Sequence, residues 1–344
     1  MLAMEAGLPE GVLGWVDARR DAGPELLGSG GLDHVIFTGS TEVGRTVART
    51  LADSLTPATL ELSGRDSAFV LEDARPAFAA ASLFGAMTTN AGQTCMGPRR
   101  ALVHRDVYED FVEAIERLAE RATPRMLIDD AAARRCYELA ADAVKRGGRD
   151  GAGHVDPPSG RLFRPSVILD CPPNAPLVQG AHFGPVMAVV PVDDFAAALE
   201  IHRSCDQHLT ASVFTTDAAR AERLARRLGV TNLMINDAIV PTSHPGVSIG
   251  GRGPSGMGLS RGAEGLLALT RPVYISTGPG VARRMVKPPR RSLVRMFAAG
   301  LRWWYGRGAD ASKLIPWAKV DKPSEPPVGI DGLPTSRAGD GESG

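Results

Sequence analysis

The sequence has no excess of charge of either sign: 39 Lys and Arg residues balance 39 Asp and Glu, and the isoelectric point is near 7.1. No global field therefore selects nucleic acid as a partner, and any electrostatic argument has to be local. Cysteine is scarce and scattered. Cys95, Cys136, Cys171 and Cys205 stand 41, 35 and 34 positions apart. That spacing offers no CxxC pair and no zinc-ligand set, so reduced thiols in a cytoplasmic protein, with no metal, are expected. The opening MLAMEAGLPEGV has neither a basic n-region nor a long apolar run, and no stretch of about 18 apolar residues follows, so neither secretion nor a membrane span is expected. Internal repeats are absent too. What remains is a chain of 344 residues, 43% hydrophobic and 23% charged, which is enough to bury a core of one or two domains.

From Leu32 to Gly64 an apolar strand (HVIFTGS), an amphipathic helix (TEVGRTVARTLADSL) and a second strand (ATLELSG) form a βαβ pattern. A helical run over about Arg75–Asn90 ends in the loop AGQTCMGP. RRALVH then reads as a strand, and DVYEDFVEAIERLAER as a helix capped by Asp106. Strands and helices keep alternating through PVMAVVPV, DDFAAALEIHRS, TASVFTT, DAARAERLARRL and TNLMIN. The fold class is α/β, with parallel sheets expected. Gly and Pro gather between His244 and Gly262, and the closing PSEPPVGIDGLPTSRAGDGESG reads as disordered.

Four local features carry candidate chemistry. Gly39–Thr46 (GSTEVGRT) lies between a strand and a helix, where backbone amides and the helix dipole suit a phosphate. It is one residue away from the nucleotide-binding pattern GxxxxGK[ST], but Arg45 stands where lysine is required, and a planar guanidinium does not replace a compact ammonium there. FVLED (Phe69–Asp73) resembles a metal-binding strand end, a pattern that short apolar runs often share. Cys95 sits in NAGQTCMGPRR, where Gly92, Gly97 and Pro98 preclude regular structure and where Arg99 and Arg100 would favour a thiolate. Glu61 closes a strand, at the end where α/β proteins bind ligands. Taken singly, the cysteine also reads as a small buried hydrophobe and the glutamate as a surface acid.

Taken in order, FTGSTEVGR, LELSGRD, NAGQTCMGPRR, FGPVMAVVPV and GGRGPSGMG resemble the aldehyde dehydrogenase superfamily over about Glu5–Ser276. The resemblance implies an N-terminally incomplete member. Residues 1–64 would be a remnant of a Rossmann-like dinucleotide-binding domain, 65–265 the catalytic thiol domain, and 266–278 the C-terminal strand of an oligomerisation region; residues 279–344 would form a basic helical segment and tail. It further implies Cys95 as nucleophile and Glu61 as general base. Gly39, Ser40 and Gly44 would contact the phosphates of NAD or NADP, and Phe183 would lie against the nicotinamide ribose. The implied reaction oxidises an aldehyde to a carboxylic acid through a Cys95 thioester.

The sequence departs from the family pattern in several places. Ala181 stands where the family has a ribose-binding glutamate, LELSGR replaces LELGGK at Ser63 and Arg65, and the stretch from Cys95 to Phe183 is short, with Ala122–Ala133 the expected deletion site. No counterpart appears of the family segment that precedes AGLPEGV. Two alternatives follow: a catalytically impaired scaffold, or subunit needing a complementing chain, and a cofactor-independent esterase. A homo-oligomer is otherwise expected. Between Arg283 and Gly308, eight Lys or Arg residues and no acid accompany an apolar stripe of Leu293, Phe297, Leu301 and Trp304, a pattern suited to packing on the parent domain or to an anionic membrane surface.

Overall fold

A computed structural model describes residues 5–17, 19–153, 155–180 and 182–277, together with Ser292, Arg295, Met296 and Ala299. Ala181 and nearly all of the basic segment Arg283–Gly308 lie outside the described residues, as does the tail after it. One compact unit runs from Met1 to Pro272 and a second takes the rest; every element below belongs to the first.

Helix α1 (Ala22–Gly28) leads into β1 (Val35–Thr38), α2 (Thr41–Ser54) and β2 (Ala58–Glu61). β1 and β2 pair in parallel with Val35 opposite Ala58 and Thr38 opposite Glu61, the βαβ unit expected from the sequence. Val47 and Leu51 on one stripe of α2 bury against Leu60 and Leu62, which explains the helical spacing of these apolar residues. The outer edge of β1 carries no strand among the described residues, and Ile36 there is 54% exposed.

The chain then enters a larger sheet through β3 (Ser67–Val70), followed by α3 (Pro76–Thr88), β4 (Arg100–His104) and α4 (Tyr108–Glu120). β5 (Arg125–Met126), α5 (Asp130–Lys145), β6 (Arg149–Asp150), β7 (Leu162–Phe163), β8 (Ser166–Leu169), α6 (Pro176–Gln179) and β9 (Val186–Val192) come next. The last elements are α7 (Phe195–Arg203), β10 (Thr210–Phe214), α8 (Ala218–Leu228), β11 (Asn232–Ile235), β12 (Gly256–Met257) and α9 (Gly262–Ala268). The seven-stranded sheet has the order β11-β10-β3-β4-β9-β8-β6, parallel except for β6 at one edge. Its strands alternate between two cores. Val186, Ala188 and Val190 of β9 face the core built with α5 to α8, while Met187 and Val189 face the one built with α3 and α4. Burial on both faces is why these strands read as unbroken apolar runs.

One expectation needs correction, and two observations bear on the expected domain bounds. Asp106 does not cap α4: a short turn over Arg105–Val107 intervenes, and the Asp106 amide donates to His104 Nδ1 at 3.2 Å. The boundary at residue 64 marks the passage between the sheets, but the small sheet also recruits β12, antiparallel to β2 with Gly256 opposite Glu61. Among the described residues, no strand forms over 266–277. The first of these residues end α9, and residues 271–277 pair with no strand among the described residues, since a strand exists only where a partner accepts its hydrogen bonds.

Candidate active site

The C-terminal ends of β1 and β2 lie together, and the Gly39 amide donates to the Glu61 carbonyl at 3.1 Å. An added Cβ at Gly39 would come within 2.4 Å of the Phe37 ring, so the ring would have to shift. Ser40 caps α2 by accepting the Val43 amide at 3.3 Å. On the other flank of β2 the Leu62 amide donates to Ser255 O at 3.0 Å, and Ser255 Oγ donates to Ser63 O at 2.9 Å. The Ser260 hydroxyl donates to Glu61 Oε1 and fixes the carboxylate's orientation. Burial lifts the Glu61 carboxyl above its ordinary range, and the Arg261 guanidinium pulls it partly back.

Cys95 is delivered by the larger sheet. After α3 the backbone turns through Asn90, Ala91 and Gly92, all at positive φ, with Gly92 at +71°. Arg99 then staples the loop from inside. Its guanidinium donates to Thr94 O at 2.5 Å, Gly92 O at 3.0 Å and Gly184 O at 3.3 Å, and its amide donates to Asp66 O at 3.0 Å.

The sequence suggests that Arg99 and Arg100 favour the thiolate; in the structure Arg99 does attract the Cys95 charge, but burial and two carboxylates outweigh that help. Arg99 spends its donors on carbonyls. Arg100 is buried elsewhere, donating to Ser67 Oγ, to the carbonyls of Val178, Ile201 and His202, and to Cys205 Sγ. The Cys95 thiol is raised above its ordinary value, first by burial and then by the carboxylates of Asp66 and Glu61. Asp66 accepts from the Leu209 and Thr210 amides and the Thr210 hydroxyl, and burial raises its own pKa to about 6.

Cys95, Glu61, Gly39, Ser40 and Phe183 all line one cavity of about 460 Å³. Phe183 is 50% exposed, with the Arg99 guanidinium 5.8 Å from its ring centre. Gly44 is not among the lining residues. It is buried where an added Cβ would come within 2.3 Å of the Leu62 side chain, so the structure gives it a packing role between α2 and β2. Two residues of the lining were not legible in the sequence. Arg135 comes from α5, and His182 is a buried imidazole whose two nitrogens meet no partner in hydrogen-bonding geometry among the described residues. Burial and the cations of Arg99 and Arg135 hold His182 well below its ordinary pKa, which keeps it neutral. The periodicity of AAARRCYELAADAV signals the helix, but nothing in the sequence singles out His182. The FVLED carboxylates are engaged elsewhere: Glu72 pairs with Arg220 at 2.7 Å, and Asp73 accepts from Thr215 and Thr216. No metal-holding cluster occurs among the described residues, and no helix among them is long and apolar enough to cross a membrane.

These surroundings set the pH response of the thiol. Because burial and two carboxylates raise Cys95, alkylation by iodoacetamide should climb with pH to an inflection above that of a free thiol, about 8.5. Glu61→Gln removes one of the negative charges and should move the inflection down. An unchanged or higher inflection in that variant would show that the carboxylate does not face the sulfur.

The α/β sheets thus bring a loop thiol, a strand-end carboxylate and a helix N-terminus around one cavity. The chain belongs to the aldehyde dehydrogenase family, whose sequence model matches residues 1–275. It is 32% identical over 284 residues to aldehyde dehydrogenase LUC3 of a Fusarium species, an alignment covering 80% of this chain and 61% of that protein. Among solved structures it resembles the Mycobacterium tuberculosis aldehyde dehydrogenase complexed with NAD+, with a TM-score of 0.70 and 31% identity over 78% of this chain and 57% of that one. It also resembles the NADP-dependent glyceraldehyde-3-phosphate dehydrogenase of Bacillus halodurans complexed with NADP, with a TM-score of 0.73 and 29% identity over 78% and 57%. The chain thus spans about 61% of LUC3 and a similar share of these structures.

Proposed function

We propose that this chain carries the thiol and the base of an NAD(P)-dependent aldehyde dehydrogenase that oxidises an aldehyde to a carboxylic acid. The observation that carries the reading is the shared cavity, into which Cys95 from the large sheet and Glu61 from the small one both open. Residues 1–64 would hold the cofactor and 65–265 the reacting thiol.

The residues present fit a dinucleotide. Gly39 and Ser40 at the start of the 14-residue α2 suit a phosphate, and the half-exposed Phe183 ring offers an apolar wall to a nicotinamide ribose. When bound, NAD(P)+ supplies the hydride acceptor that takes the adduct to the thioester. The chain's own groups do the rest. The Cys95 sulfur, once deprotonated, bonds to the aldehyde carbon. After oxidation Glu61 removes a proton from water as the water oxygen attacks the thioester carbon, and the C–S bond breaks to return the thiolate. A carboxyl raised by burial is a stronger base than a solvated one, and Ser260 keeps it aimed.

The four free cysteines suit the reducing cytoplasm, and residues 271–277, which include the exposed Val273, Tyr274 and Ile275, suit pairing with a second copy or a complementing chain. The test is to incubate the purified chain with an aldehyde and either NAD+ or NADP+. Reduced nicotinamide should form, and should vanish with Cys95→Ala. Ester cleavage without reduction of either cofactor would replace the reading with an acyl hydrolase.

A further inference from the structure

A second groove, of about 510 Å³, shares no lining residue with the cavity at Cys95. Arg45 and Arg49 reach it from successive turns of α2, and Arg65 reaches it from the connection between β2 and β3. Glu42 and Asp206 also line it, so the three guanidinium groups outnumber the carboxylates by one. None of the three arginines takes part in an ion pair among the described residues.

The floor is more specific than a basic surface. Gln207 is only 9% exposed. The Thr41 hydroxyl donates to Pro254 O at 2.8 Å, so it accepts from Gln207 Nε2 at 3.0 Å, and this fixes the amide with Oε1 as the free end. Among the described residues, Gln207 Oε1 is buried without a donor and Arg65 Nε is buried without an acceptor. The two residues are tied together by the Arg65 amide donating to Gln207 O at 3.2 Å. Buried polar atoms left unpaired carry a desolvation penalty that a matching ligand removes. The ligand that satisfies both must present an anionic oxygen to the guanidinium groups and a hydroxyl proton to the amide.

We infer that this groove binds a hydroxylated phosphate monoester, with the phosphate held by Arg45, Arg49 and Arg65 and a ligand hydroxyl donating to Gln207 Oε1. Guanidinium forks match phosphate oxygens in pairs, which favours phosphate over a spherical anion. Such a ligand bridges α2 of the small sheet to Arg65 in the β2–β3 connection and to Gln207 just before β10, so binding stabilises the folded chain.

The probes are glycerol 3-phosphate, inorganic phosphate and glycerol, titrated into the full chain by calorimetry and followed by thermal melting. Glycerol 3-phosphate should bind more tightly than inorganic phosphate and raise the melting temperature, while glycerol should do neither. The exposed pair Arg45→Gln and Arg49→Gln should weaken glycerol 3-phosphate by about tenfold or more, as expected for lost charge-assisted bonds. Gln207→Leu should erase the preference for glycerol 3-phosphate over inorganic phosphate. Cys95→Ala should bind as the wild type does, which separates this groove from the thiol cavity and from the dehydrogenase reading. Equal affinity in the double arginine variant, equal binding of glycerol, or no binding at millimolar concentrations would overturn the inference.

Discussion

Glu61→Gln should acylate at Cys95 and then stall. With p-nitrophenyl acetate this variant should release a burst of about one nitrophenolate per chain, followed by steady turnover slowed by about a hundredfold to ten-thousandfold, the usual contribution of a positioned base. Mass spectrometry should find the acetyl group on Cys95. The expectation follows from which step needs which group. The sulfur is the nucleophile for acylation, and removing the neighbouring charge makes its thiolate easier to form, because Glu61 is one of the groups that raise the thiol. Neutral water is the nucleophile for deacylation and needs a proton acceptor, which a glutamine does not provide. Cys95→Ala should show neither burst nor turnover. An acetyl group on another residue, or undiminished turnover in Glu61→Gln, would remove the two-step scheme.

Gly92→Ala should destabilise the fold by about 3 kcal/mol or more, as expected when a strained backbone conformation coincides with overpacking. The residue sits at a φ of +71°, and an added Cβ would lie 2.3 Å from both Gly184 C and Pro185 N, which are backbone atoms with nowhere to retreat. Its carbonyl is also a contact of Arg99, so displacing it loosens the brace that holds Cys95. Urea denaturation should show a lower midpoint, and alkylation of Cys95 should accelerate as its burial is relieved. Gly85→Ala provides the contrast. Gly85 lies within α3 with nothing inside 4 Å of an added Cβ, so the same substitution there should stabilise by about 0.5–1 kcal/mol. A similar loss at both positions would refute the steric account.

Legibility in the sequence followed the range of the interactions. The βαβ unit around Gly39 is readable because strand and amphipathic helix are local signals; the one cap read from the sequence, Asp106, is not one, while Ser40, Asp194 and Asp217 cap helices in the structure. The pairing of β12 with β2 was not readable. It joins residues nearly two hundred positions apart through a segment rich in glycine, where Gly256 allows the Leu60 carbonyl to approach within 1.9 Å of a would-be Cβ. Charge was misread for a similar reason. Arg99 stands near Cys95 in sequence, yet its direction was decided by carbonyls at Gly92, Thr94 and Gly184 that only the folded loop brings together. The resemblance implies a phosphate contact for Gly44, and what the sequence does not show is its tertiary neighbour, the Leu62 side chain, which an added Cβ would meet at 2.3 Å.

The proposed nucleophile and base ride on different sheets, linked by the short stretch from Leu62 to Asp66 and fastened by hydrogen bonds to Ser255. Their separation is therefore a property of how one slab leans on the other. Substitutions at the seam, remote from any reacting atom, can widen or narrow that gap while leaving the surroundings of both groups intact, which gives evolution a coarse adjustment of rate independent of the chemistry.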